Sequence, residues 1–169
     1  MSEPLPSAAL PRIALFQPDI AGNTGAILRL GACLGIAVDV IGPAGFDFSD
    51  RALRRAGMDY LELASLRRHD DWEAFEAWRR SEGRRLLLFS TKGDRPFTDW
   101  RYKPSDILLF GRESAGAPLH VHEAADARLL IPMPGGGRSL NLAMSAAVAA
   151  TEAVCQTGGF SRPPAGVGS

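Results

Sequence analysis

Five short, nearly continuous apolar runs constrain this chain most: RIALFQ (12–17), VDVIGP (38–43), RLLLFS (85–90), DILLFG (106–111) and RLLIPM (128–133). A strand that is apolar at successive positions is buried on both faces, as in a parallel sheet covered by crossover helices. The segments between the runs carry helical patterns. GNTGAILRLGACLGI (22–36) sets Ile27, Leu30 and Leu34 along one face. SDRALRRAG (49–57) offers Ser49 or Asp50 as an N-cap and Gly57 as a stop. DDWEAFEAWRRSEG (70–83) is amphipathic through Trp72, Phe75 and Trp78. PLHVHEAA (118–125) reads as a short helix or turn, residues 139–157 as a long helix, and YLELA (60–64) as a further strand. The expected fold class is α/β, a mostly parallel sheet with helices on both faces. It forms a single domain over 12–157, between disordered termini at 1–11 and 158–169.

Residues 135–152, GGGRSLNLAMSAAVAATE, stand apart from an ordinary amphipathic helix. Three glycines precede it, Arg138, Ser139 and Asn141 sit at its start, and its body is almost all small. Glycines let backbone approach a ligand, and free N–H groups at a helix start favour anions and polar acceptors. The small-residue face invites close backbone packing, at a subunit interface or a ligand wall.

Composition excludes some classes. No apolar run reaches the roughly 18 residues that a membrane helix needs, and MSEPLPSAALPR does not read as a signal peptide. The expected location is the cytoplasm, without a membrane partner. Cys33 and Cys155 lack C-x-x-C spacing and are expected to be buried thiols, not a disulfide or zinc site. The formal net charge of zero argues against indiscriminate binding to nucleic acid. Yet residues 51–68 hold Arg51, Arg54, Arg55, Arg67 and Arg68 against only Asp59 and Glu62, and arginine suits phosphate.

The polar, glycine-containing turns IAGNTGAILR, TKGD, GRESAGAP and PGGGRSLN all follow apolar strands. Ligands of open α/β sheets bind beyond the carboxyl ends of strands, so these turns point to one site. Spacing argues against common alternatives. GGGRS lacks the P-loop lysine, GRESAG is not a G-x-S-x-G elbow, and no G-x-G-x-x-G follows the first strand. His120 and His122 have no partners that would complete a metal site.

NTGAILRL (23–30), LLFGRESAGAP (108–118) and IPM followed by RSLNLAMS (131–145) resemble, in order and separation, the three signature motifs of the SpoU/TrmH class of RNA ribose 2′-O-methyltransferases. GFDFSDRALRRAGMDY (45–60) resembles the small, single-domain subgroup acting on the tRNA wobble nucleotide. The resemblance spans about residues 12–157. It implies the SPOUT fold with a C-terminal deep trefoil knot, which general topology rules would reject. It further implies a homodimer whose partner completes the site, S-adenosylmethionine as cofactor, and no metal. The implied substrate is the anticodon stem-loop of tRNA, with leucine tRNAs foremost and cytidine or modified uridine at the wobble position.

By motif match, Phe89, Gly111, Ile131, Ser139 and Leu140 hold the cofactor. Arg29 contacts the ribose or its phosphate, with Asn23 orienting Arg29 or the substrate. Glu113 holds Arg29 or Asn141. Ser139 and Asn141 pin the cofactor carboxylate and the ribose. A guanidinium stays protonated in proteins and is a poor base, so orientation of the hydroxyl with phosphate-assisted proton loss is an equal reading. Other readings remain: a different tRNA or rRNA site, a catalytically silent RNA-binding protein of the same fold, or a nucleotide-binding α/β enzyme using GGGRS as an anion cradle.

Overall fold

Alternation within each apolar run decides how the layers form. In the computed structural model, which describes residues 10–161, Ile13 and Leu15 of β1 (Arg12–Phe16) face one side of the sheet and Ala14 and Phe16 the other. Seven strands pair in the order β3-β2-β1-β6-β4-β7-β5, and every pairing is parallel. They are β1, β2 (Val38–Ile41), β3 (Leu66–His69), β4 (Leu86–Phe89), β5 (Arg95–Pro96), β6 (Ile107–Phe110) and β7 (Ala127–Leu130).

Helices α1 (Ala21–Leu34) and α6 (Leu142–Gln156) cover the face formed by Ile13, Leu15, Leu87, Leu108 and Leu129. Helices α4 (Trp72–Ser81) and α5 (Leu119–Ala124) cover the other with Phe75 and Val121. Two short helices, α2 (Asp50–Arg55) and α3 (Tyr60–Ala64), lie between β2 and β3. The α/β class with a parallel sheet covered on both faces is therefore observed. The alanines of α6 have a packing role: Ala146, Ala149, Ala150 and Ala153 are fully buried against this chain's own sheet and α1, so the close neighbour is internal.

Several elements depart from the sequence reading. YLELA is helix α3, not a strand. Asp59 caps it, its carboxylate accepting from the Glu62 N–H at 3.1 Å while Glu62 accepts from the Asp59 N–H at 3.3 Å. This capping box outweighs the short apolar pattern. The third strand is instead LRRH, an edge strand with exposed arginines that shows no apolar run. The last long strand ends at Leu130 and α6 begins at Leu142, leaving Arg138, Ser139 and Leu140 in the preceding loop. Cys33 and Cys155 are exposed on the outer faces of α1 and α6, not buried. The disorder expected at both ends falls largely on residues 1–9 and 162–169, outside the described residues; Gly159–Ser161 form a turn of 3-10 helix.

Candidate functional site

The carboxyl ends of β4 and β6 deliver Phe89 and Phe110 side by side, stacked with centroids 5.1 Å apart and planes inclined by 21°. They floor a cleft of about 290 Å3. Phe89, Gly111, Ile131, Ser139 and Leu140 all line it, with Ser90, Thr91, Glu113, Met133 and Ser145 supplying polar or polarisable edges. One wall is the turn after β6, closed by paired hydrogen bonds between Arg112 and Gly116 of 3.1 and 2.8 Å. Only glycine fits at its start. A Cβ on Gly111 would meet the Ala117 nitrogen and the Gly116 carbonyl carbon, each at 2.5 Å. Gly116 itself sits at φ +66°.

Beside this cleft a chain of hydrogen bonds ties the three motif segments together. Asn141, the N-cap of α6, donates through Nδ2 to Asn23 Oδ1 at 3.0 Å. Asn23 donates through its own Nδ2 to Glu113 Oε1 at 3.5 Å. Glu113 Oε2 accepts the Asp19 N–H at 3.0 Å, and the Ser114 hydroxyl donates to the Asp19 carboxylate. Hydrogen bonding from Glu113 first and Ser114 second holds the Asp19 carboxyl below the ordinary aspartate range, with the Arg112 charge adding to it.

Two expected contacts are not made. Arg29 reaches neither Asn23 nor Glu113. It lies farther along α1, largely exposed, with Nε 3.1 Å from Oε1 of the buried Glu62, and it does not line the cleft of its own chain. Glu113 accordingly holds Asn23 and the loop after β1, not Arg29. The helix start also offers less than expected to an anion, because Asn141 Oδ1 already accepts the N–H groups of Ala143 (2.8 Å) and Met144 (3.4 Å). The sequence reading missed Glu62, Asp19 and Ser114. The D-x-x-E spacing of Asp59 and Glu62 is a capping signal and would have revealed the first of them. Among the described residues no group of three or more His, Cys, Asp or Glu side chains is placed to hold a metal. None of the described helices is long and apolar enough to cross a membrane.

The chain matches the SpoU rRNA Methylase family over residues 11–151. It is 51% identical over 154 residues to the tRNA (cytidine(34)-2'-O)-methyltransferase of Ancylobacter novellus, covering 91% of this chain and 98% of that one. A solved structure reported as "Structural insights into the 2-OH methylation of C/U34 on tRNA" superposes with a TM-score of 0.81 at 41% identity, over 90% of this chain and 99% of the other. The SpoU methyltransferase AviRb of Streptomyces viridochromogenes, solved with the cofactor AdoMet, gives a TM-score of 0.74 at 28% identity, over 87% of this chain and 60% of the other.

Proposed function

Because this chain belongs to the SpoU rRNA methylase family, we propose that it methylates the ribose 2′-hydroxyl of the tRNA wobble nucleotide, cytidine or uridine, with S-adenosylmethionine as donor. The observation that carries this reading is the convergence of the second and third motif segments on one cleft, walled by stacked aromatics and a turn too tight for any side chain at Gly111, with the first motif tied to its edge through the Asn23 bonds to Glu113 and Asn141. The relatives whose names or reports give wobble-position 2′-O-methylation supply the substrate.

The cleft suits such a cofactor. Phe89, Phe110, Ile131, Leu140 and Leu142 present apolar surface for a purine, while Ser90, Thr91, Ser139 and Ser145 offer hydroxyls to the ribose and amino-acid parts. When bound, the cofactor supplies a methyl group activated by the sulfonium charge. This chain must align the 2′-hydroxyl and ease loss of its proton. Arg29 orients the ribose or its phosphate through its fork, and the proton passes to the phosphate or to solvent. Asn141, Asn23 and Glu113 hold the α6 start, the α1 start and the post-β6 turn in fixed relation. The assembly we infer is a homodimer in the cytoplasm, knotted as a deep trefoil in its C-terminal third and bound to the anticodon stem-loop. Two features favour a partner: Arg29 does not line its own cleft and is largely exposed, and Ile20, Met144 and Val148 leave apolar surface exposed beside α1 and on α6.

Calorimetry with S-adenosylhomocysteine, set against ATP and NAD, tests the cofactor. Mapping of 2′-O-methyl groups on tRNA from a deletion strain tests the position. Binding of the homocysteine compound alone, with the wobble methyl lost on deletion, is expected. No binding, or a methyl lost elsewhere, overturns the respective half.

A further inference from the structure

At the amino ends of the strands, far along the sheet from the cleft, Trp78 of α4 is ringed by guanidinium groups. The Cζ atoms of Arg67, Arg12 and Arg84 lie 4.8, 5.1 and 5.7 Å from its ring centroid. The carboxylate within this cluster is already occupied. Asp39, fully buried, accepts Arg12 Nε at 2.7 Å and Nη2 at 3.2 Å, and its Oδ1 also meets His69 Nε2 at 2.8 Å. Arg67, exposed on edge strand β3, makes no side-chain hydrogen bond or ion pair among the described residues. Arg84 is in a worse position: its Nε and Nη1 are buried and find no partner among those residues.

A charged donor buried without an acceptor is costly. Here burial first, and the neighbouring charges of Arg12 and Arg67 as well, weigh against the Arg84 cation, with Glu82 and Asp39 opposing them. Contact with Trp78 holds the guanidinium groups without using their N–H groups, because cation–π attraction engages the face of the guanidinium; it leaves free the donors of Arg67 and the Nη2 of Arg84, while Nε and Nη1 of Arg84 stay covered by the fold. The edge is what a phosphate takes. Arg67 lies on the edge strand; its neighbour Arg68 turns to the other sheet face and is paired with Asp50 at 2.6 Å, while Arg51, Arg54 and Arg55 stand exposed on α2.

We propose that Arg84 and Arg67, braced by Trp78, form an oxyanion site that takes a backbone phosphate of the RNA substrate. The proposal rests on the RNA-methyltransferase reading for the source of the phosphate, but not for the site. The free donors of Arg67, the Nη2 of Arg84 and the exposed arginines of α2 fit a polyanion better than a single carboxylate on a protein partner.

Two arms test it in the full-length protein. In the first, inorganic phosphate at millimolar concentration is added to the wild type, R67A and R84L, and melting temperatures are compared. The wild type is expected to gain several degrees and both variants much less. Without added phosphate, R84L is expected to melt at or above the wild type, since it loses two covered donors that have no acceptor. An equal phosphate response in the wild type and R67A overturns the site and makes these arginines mere cover for Trp78. R67A changes an exposed side chain and keeps the test open if R84L fails to fold.

In the second arm, tRNA affinity is measured against salt. R67A is expected to weaken binding about 5–10-fold near 0.1 M salt and to lower the logarithmic salt slope by about one, with S-adenosylhomocysteine affinity unchanged. Wild-type affinity and slope in R67A, with a positive first arm, overturns RNA as the source. Failure of the wild type to bind tRNA at all overturns the substrate reading and, with it, RNA as the source, while the first arm still decides the site.

Discussion

The two ends of the parallel sheet use carboxylates in opposite ways. At the amino end, Asp39 and Asp106 are fully buried, and each is gripped by two nitrogens of one arginine: Arg12 on Asp39, and Arg85 on Asp106 at 2.7 Å for both contacts. At the carboxyl end, Glu113 and Asp19 meet no such fork. Glu113 takes an amide side chain and a backbone N–H, and the Arg112 Nε is 3.8 Å from Asp19. The first arrangement leaves nothing to spare and staples strand starts together. The second holds loops in place while keeping donors and acceptors at the edge of a cleft. Charge saturation marks the structural end, and weaker, amide-based restraint marks the end that must admit a ligand. Arg84 and Arg67 are the exception at the amino end, with donors that no carboxylate takes.

The largest effect should come from breaking the saturated end. Asp106 also accepts the Lys103 N–H at 2.8 Å, so Asp106→Ala leaves the Arg85 guanidinium with only the Arg101 carbonyl at 3.1 Å and strands a backbone donor. Removing one partner of a buried pair costs about 3–5 kcal/mol. Denaturant unfolding should show a loss of that order, while the protein that remains folded keeps its affinity for S-adenosylhomocysteine. A loss below about 1 kcal/mol would erase the contrast between the two ends.

Next in size is Arg29→Ala, which acts on turnover alone. Loss of a positioned charge-stabilising group should lower methyl transfer about 100-fold. Stability should change little, because the Arg29 guanidinium is mostly exposed. Arg29→Lys should not rescue, since an ammonium cannot reproduce the planar fork. Full activity in Arg29→Ala would remove the role given to this residue.

The same contrast explains what could be read in the sequence. The sheet and its two covering layers were legible because Ile13, Leu87 and Leu108 alternate with neighbours that are equally apolar, a signature of two-sided burial. The cleft was legible because glycine and polar residues interrupt those runs at their carboxyl ends. Edge strand β3 was not, since Arg67 and Arg68 face solvent and leave only Leu66 and His69 to signal a strand. Nor was the partner of Arg29: the contact with Glu62 depends on how α3 packs on α1, a tertiary fact without local periodicity. The N-cap role of Asn141 was visible as a residue type, but its second bond to Asn23 joins positions 118 residues apart.

A smaller effect is expected from Glu113→Gln. The amide can still accept the Asp19 N–H but presents a weaker acceptor to Asn23, so turnover should fall about 10-fold with little change in melting temperature. Acid stability gives an independent readout. The Asp19 pKa is depressed below the ordinary aspartate value of 3.8. Its contribution to stability is therefore complete above that value and is lost only as pH falls through the lower, folded one. The Ser114 hydroxyl donates to that carboxylate, so Ser114→Ala should move this acid limb toward higher pH. An unshifted limb would show that the Arg112 charge suffices.

The smallest effect separates two jobs carried by one side chain. Glu62 Oε2 accepts the Asp59 N–H in the capping box, while Oε1 pairs with Arg29. Glutamine keeps the first job, since it serves at the same position of a capping box. It loses the charge that fixes Arg29. Glu62→Gln should therefore leave α3 formed and cost under about 1 kcal/mol, the usual worth of an ion pair with one exposed partner. If Arg29 depends on Glu62 for its aim, turnover should still fall about 3–5-fold, with KM for tRNA changing less and cofactor affinity not at all. Glu62→Ala removes both jobs and should add the loss of a cap, about 1 kcal/mol. A Glu62→Gln protein with wild-type turnover would show that Arg29 is aimed by the RNA or by a partner chain. The site would then be organised by its ligands and not by the fold.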